Sequence, residues 1–189
     1  MDTKTLFIIS GPSGSGQDSI IEGLGKIFPL ERVVTSTTRT PRPTESEGTP
    51  YYFLSREVFE TGIATGDFIE WAQEYNDQLY GVTRQELDRV VTSGKIGIWK
   101  IEWKGVITAK KLFPGIKTIL ISAPIDSIEK RIRDRDHPTD AYLAERVTYT
   151  REWLRHTDIY DYTIENLDGR LEEAINQVAD IIRNETGTR

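Results

Sequence analysis

Thr5-Leu6-Phe7-Ile8-Ile9-Ser10-Gly11-Pro12-Ser13-Gly14-Ser15-Gly16-Gln17-Asp18-Ser19 is the stretch on which the fold turns. It opens as a short apolar run, breaks into a glycine-rich turn, and passes into residues 18–27, where Ile20, Ile21, Leu24 and Ile27 recur at helical spacing. Strand, loop, helix is the expected order. Such a loop suits phosphate, because glycines let the backbone wrap an anion while the free N–H groups and dipole of the helix supply positive potential. Gly11-x4-Gly16 has the spacing of a phosphate-binding loop, yet Gln17 and Asp18 stand where that pattern requires Lys and then Ser or Thr.

Further along, apolar runs at 97–101 and 116–122 read as buried strands, each separated from its neighbour by helical pattern. That alternation predicts an α/β protein with a parallel sheet covered by helices. Thr83-Arg84-Gln85-Glu86 forms a capping box opening a helix that Gly94 closes, and Asp126 is an N-cap candidate with Glu129 three residues on. Residues 142–154 and 168–182 are expected as helices, the second amphipathic with Leu171, Ile175, Val178, Ile181 and Ile182 inward. Two stretches differ in character. Residues 35–82, with Pro41, Pro43 and Pro50 and clustered aromatics, read as short strands and turns with one brief helix at 55–60, whereas 131–155 is dense in arginine. Both are read as insertions closing over something anionic.

The chain has 189 residues, 37% hydrophobic and 29% charged, a composition of a packed globular domain that can bury roughly 70% of its unfolded surface. Net charge −6 argues against a general nucleic-acid surface while allowing a local basic pocket. There is no cysteine, so disulfides, thiolate chemistry and Cys-based zinc sites are excluded, and two histidines make no metal centre. Leu6 to Ile9, the longest apolar run near the start, is far short of a membrane span of about 20 residues, so a soluble cytoplasmic protein with no membrane partner is expected.

Over nearly its whole length the chain resembles guanylate kinases. The resemblance rests on ordered blocks: GPSGSG at 11–16, Thr37-Thr38-Arg39-Thr40-Pro41-Arg42-Pro43, Glu47-Gly48 leading to Tyr51-Tyr52-Phe53-Leu54-Ser55, Phe68-Ile69-Glu70-Trp71, Tyr80-Gly81, an arginine pattern at 131–135 and 146, and Tyr160-Asp161-Tyr162-Thr163-Ile164. It implies a P-loop kinase fold with a parallel five-stranded core sheet flanked by helices. The core would take residues 1–34, 83–125 and 160–189, an NMP-binding insertion 35–82 and a helical lid 126–159. The implied activity is transfer of the γ-phosphoryl group of ATP to GMP with Mg²⁺, by a monomer or homodimer.

Carried over by position, the resemblance assigns Gly11, Ser13, Gly14, Ser15, Gly16, Gln17, Asp18 and Ser19 to the donor phosphates. It assigns Ser36, Arg39, Arg42, Tyr51, Glu70, Tyr80, Thr83 and Glu102 to the acceptor. Gln17, Arg135 and Arg146 stand at the family's catalytic positions, with Arg131 a weaker third lid arginine and no dedicated metal ligand; Lys100 is a catalytic candidate by its charge and place, not by the resemblance. The residue chemistry agrees: two arginines in a proline-stiffened loop can fork onto a phosphate, and a carboxylate such as Glu70 can accept from both N1–H and the exocyclic amine of guanine.

Four departures stand out. Gln17 replaces the loop lysine, and losing a preorganised donor of that kind costs on the order of 3 to 4 kcal/mol, or 10² to 10³ in rate. Within Lys100-Ile101-Glu102-Trp103-Lys104-Gly105, Lys100 replaces an acid of the family and Glu102 lengthens another. One reading is that Lys100 relocates the missing cation; the other is that the site has decayed, leaving a nucleotide-binding module without turnover. Val82 stands where the family commonly has a base-binding serine, with Thr83 adjacent. Lastly, Gln17-Asp18-Ser19 resembles the loop ending of ribose bisphosphate kinases, a sugar-phosphate alternative whose members lack the TTRTPRP and IEW blocks. Asp18 could reach Mg²⁺ through water, or simply favour the helix dipole.

Overall fold

A computed structural model describes residues 3–42, 45–73 and 77–187. In chain order the elements are β1 (Leu6–Ser10), α1 (Gln17–Leu24), β2 (Leu30–Arg32), β3 (Thr35–Thr37), β4 (Ser46–Glu47), β5 (Pro50–Phe53), α2 (Arg56–Thr65), β6 (Phe68–Gln73) and β7 (Leu79–Thr83). There follow α3 (Arg84–Val91), β8 (Ile96–Lys100), α4 (Trp103–Leu112), β9 (Lys117–Ser122), α5 (Ile125–Asp136), α6 (Asp140–Trp153), a 3₁₀ turn (Leu154–Ile159), β10 (Tyr162–Glu165) and α7 (Leu171–Thr186). Pro43 of the arginine-proline block falls outside the described residues.

The core sheet has five parallel strands in the order β10-β9-β1-β8-β2. Strand β1 lies in its middle and is buried throughout. Its side chains divide by parity. Phe7 and Ile9 pack with Ile20, Ile21 and Leu24 of α1 and Ile175 and Val178 of α7, while Leu6 and Ile8 pack with Leu87 and Val90 of α3 and Val106 of α4. The sheet is thus covered on both faces, as the unbroken apolar runs require, and each fully buried large side chain contributes about 1.5–3 kcal/mol. A second sheet, β4-β5-β3-β7-β6, is built from the 35–83 stretch and carries α2.

Several sequence expectations shift at their edges. The first helix ends at Leu24 rather than 27, because Lys26 and Ile27 donate to carbonyls three residues back and tighten the chain into turns, and Ile27 is left 38% exposed. The brief helix at 55–60 runs ten residues, from its Ser55 cap to Gly66, whose φ of 77° ends it. Thr83 does accept from the Glu86 backbone N–H, but the Glu86 carboxylate turns away to Val34, Tyr52 and Arg89, so only half the capping box forms. Asp126 is not a cap: Pro124 holds that position and Asp126 sits in the first turn. The last helix starts at Leu171 rather than 168, since Gly169, with φ 76°, breaks the chain there and Asp168 instead accepts from Arg131 and Ser127.

Candidate active site

Strands β1 and β8 run side by side with Ile9 opposite Lys100, so both end at one edge of the sheet. After β1 the loop curls into the start of α1. Gly16 adopts φ 95°, and a Cβ there would lie 2.2 Å from Nδ2 of Asn166; at Gly11 it would lie 2.2 Å from the Ile121 carbonyl oxygen. Glycine is therefore required at both ends of the loop. Asn166 Nδ2 donates to the Ser15 carbonyl at 2.8 Å. Arg131 donates to the carbonyls of Gly14, Ser15 and Asn166 at 3.2, 3.4 and 2.9 Å and to Asp168 at 2.6 Å. That arginine braces the loop from behind.

Gln17 folds back so that Nε2 donates to the Gly11 carbonyl, closing the loop with a neutral amide. Lys100 Nζ donates to both oxygens of Asp18 at 2.8 and 3.0 Å, and Arg32 adds a third contact at 3.3 Å. Burial pushes the Asp18 carboxyl up, but the bonds and charges of Lys100 and Arg32 outweigh it and hold the group below its ordinary range. The two side chains are 37% and 67% exposed, and pairs so open to water contribute about 0.2–1 kcal/mol. A multiply charged phosphate can compete with Asp18 for the ammonium.

In front of these residues opens a cleft of about 610 Å³, within the range of small-molecule sites. Gln17, Lys100 and Glu102 line it from the core; Arg39, Arg42, Tyr51, Glu70 and Tyr80 from the second sheet; Tyr142 and Arg146 from α6. Arg39 forks onto Glu45 with two 2.9 Å bonds and lies 5.3 Å from the ring centroid of Tyr51, which meets Tyr80 edge-on at 5.8 Å. The Glu45 carboxylate also accepts from the Arg42 backbone N–H at 2.8 Å, so one acid holds both the Arg39 side chain and the main chain at Arg42. Desolvation opposes the Arg39 charge, yet Glu45 and Tyr80 leave its pKa raised. Glu70 on β6 lies opposite Val82 on β7, and its Oε2 is 3.5 Å from where a Cβ on Gly105 would stand. Arg146 Nε donates to the Tyr142 hydroxyl at 3.0 Å.

Other expected residues lie apart from the cleft wall. Arg135 pairs with Asp136 at 2.7 Å and reaches the loop at Ser13 Oγ, 3.1 Å away. Ser36 is buried within β3, and Thr83 caps α3. Gly16 and Ser19 border a separate recess of about 220 Å³ beside Asn166. The loop therefore stands between two spaces, and the cationic side chains of Arg39, Arg42, Lys100, Lys104 and Arg146 line the larger.

A family model described as guanylate kinase matches residues 3–185. The chain belongs to the guanylate kinase family. A guanylate kinase of Buchnera aphidicola (subsp. Schizaphis graminum) is 36% identical over 96% of this chain and 88% of its own length. One from Haemophilus influenzae is 32% identical over 100% of this chain and 92% of its own. Among solved structures, a guanylate kinase from Anaplasma phagocytophilum superposes with a TM-score of 0.71 at 27% identity, covering 96% of this chain and 85% of that one. The chain is accordingly a nucleoside monophosphate kinase by family, with guanylate-kinase-like phosphotransfer as its activity.

Sequence reasoning overlooked several side chains that hold the candidate residues of this guanylate kinase family member in place. Arg32 joins Asp18, Glu45 orients Arg39, Tyr142 holds Arg146, and Tyr149 donates to Glu102 at 2.7 Å. Of these, Glu45 and Tyr142 had a local signal: an acid three residues past Arg42, and a tyrosine one helical turn before Arg146.

Proposed function

We propose that this chain transfers the γ-phosphoryl group of ATP to GMP, giving ADP and GDP, with Lys100 standing in for the missing loop lysine. The observation that carries this reading is the convergence of Arg39, Arg42, Tyr51 and Tyr80 with Glu70, Lys100 and Arg146 on one cleft. Arg39 and Arg42 bind the acceptor phosphate, helped by the two tyrosine hydroxyls. Glu70 accepts from guanine N1–H and the exocyclic amine, a pairing adenine does not offer, and Glu102 adds a second carboxylate. The insertion 35–82 acts as the acceptor lobe and 126–159 as the lid.

The loop suits a donor triphosphate: its glycines are sterically required and α1 begins at Gln17. The donor nucleoside fits the recess at Gly16 and Ser19. For Mg²⁺ the chain offers one carboxylate at the loop, Asp18, already engaged by Lys100 and Arg32, and no group of three or more metal-binding side chains occurs among the described residues. That set fits an ion carried mainly by the nucleotide phosphates, which neutralises their charge when bound. In the transfer an oxygen of the acceptor phosphate forms the new P–O bond as the bond from the γ-phosphorus to the β–γ bridging oxygen breaks. Lys100, Arg135 and Arg146 neutralise the charge spread over the moving group.

A coupled assay of ADP release with ATP and Mg²⁺ tests the reading against GMP, AMP and ribose phosphates. Release dependent on GMP is expected. GMP binding without release would replace the kinase with a nucleotide-binding module, and release dependent on a ribose phosphate would reassign the acceptor.

A further inference from the structure

We infer that Tyr149 is a positioning residue: from α6 it sets the Glu102 carboxylate for the acceptor base and links that carboxylate to the placement of Arg146. The inference rests on the proposed role of Glu102 at the base. Glu102 precedes α4 at the cap position, but its side chain makes no capping bond to the helix. The Tyr149 hydroxyl donates to Glu102 Oε2 at 2.7 Å, a short charge-assisted bond between residues 47 apart in sequence. With no local backbone bond to fix it, the carboxylate takes its orientation from the tyrosine.

Tyr142, Arg146, Tyr149 and Trp153 follow one another at steps of four, three and four residues, which places them on a single stripe of α6. Tyr142, Arg146 and Trp153 line the cleft, as does Glu102. The lower end of the stripe is anchored. Trp153 Nε1 donates to the Tyr160 hydroxyl at 3.0 Å, that hydroxyl lies 2.9 Å from Ser10 Oγ, and Ser10 Oγ donates to the Ile101 carbonyl at 2.7 Å. The helix thus meets the segment leaving β8 at two successive residues, once through a relay of hydroxyls and once through Tyr149. Arg146 sits one turn beyond the second contact. A base that engages Glu102 therefore acts on the second of these two ties, the one that lies a single turn from Arg146.

The test compares Tyr149→Phe, Glu102→Gln and the double variant in steady-state kinetics. Phenylalanine keeps the ring and its edge-on contact with Trp153, 5.8 Å between centroids, so an unchanged circular dichroism spectrum is expected. Tyr149→Phe should raise the KM for GMP about tenfold with a smaller fall in kcat and no change in the KM for ATP. In the Glu102→Gln background it should add less than about twofold, since its effect passes through that carboxylate. A GMP KM within twofold of the parent, or an equal rise in both backgrounds, overturns the inference alone. A Glu102→Gln variant with the parent's GMP KM overturns both it and the role given to Glu102.

Discussion

Lys100 and Asp18 exchange the charges that a phosphate loop ordinarily arranges differently, with the cation on the neighbouring strand and the acid at the head of the helix. Because that ion pair is largely open to water, its own stabilisation is small, and the value of Lys100 lies in what it does once a phosphate arrives. Lys100→Ala should lower kcat by about 10²-fold or more while leaving the Kd for GMP, measured by calorimetry, within twofold. Unchanged turnover would remove Lys100 from the reaction. At this scale the sequence was most informative where a motif carries its own chemistry, as in Arg39, Arg42 and Glu70, all of which line the cleft. It was silent on Arg32 and Tyr149. Their partners lie 14 and 47 residues away, and only the packing of β2 against β8, or of α6 over the end of β8, brings them within reach.

Elements were legible in proportion to how local their determinants are. Ser55 and Thr83 each cap the helix they were expected to precede or open, because a cap is a contact three residues long. Strand β2 was invisible: Leu-Glu-Arg has no apolar pattern, and it is a strand only because β8 offers an edge. The start of β10 shows what such long-range contacts contribute. Asp161 accepts from the Thr118 backbone N–H and hydroxyl at 2.8 Å each and from Lys110 at 2.9 Å, joining β10 to β9 and α4. Burial raises its pKa, but Lys110 and Thr118 outweigh that and hold it below the ordinary aspartate range. A carboxyl depressed in the folded state contributes fully above the unfolded value and loses that contribution as pH falls through the folded one. Asp161→Asn should cost about 2 kcal/mol at neutral pH, and its gap in melting temperature from the parent should narrow as the pH falls below the ordinary aspartate range. Thermal melts of both proteins from pH 7 to 2.5 measure this; a gap that persists undiminished in acid would show that the charge of Asp161 is not its source.

For the molecule as a whole, the alternation of strands and helices foretold the parallel core, whereas the stretch from residue 35, read only as an insertion of short strands and turns, pairs into a second sheet that the composition did not announce. The cleft between them was not readable from periodicity, since its walls come from segments as far apart as Gln17 and Trp153. A ligand bridging the core and the second sheet stabilises both by mass action. GMP alone at about 100 times its Kd should add about 2.7 kcal/mol and raise Tm by roughly 5–10 °C, with AMP at equal concentration giving a much smaller shift. Differential scanning fluorimetry reads this directly, and equal shifts from the two nucleotides would deny Glu70 its selectivity.

All four tryptophans are placed on the elements that carry the cleft: Trp71 follows Glu70 on β6, Trp99 precedes Lys100 on β8, Trp103 precedes Lys104 on α4, and Trp153 shares α6 with Arg146. Each wall thus holds its own indole chromophore. Any rearrangement that closes those walls on a nucleotide is written into the ultraviolet emission of the unlabelled protein.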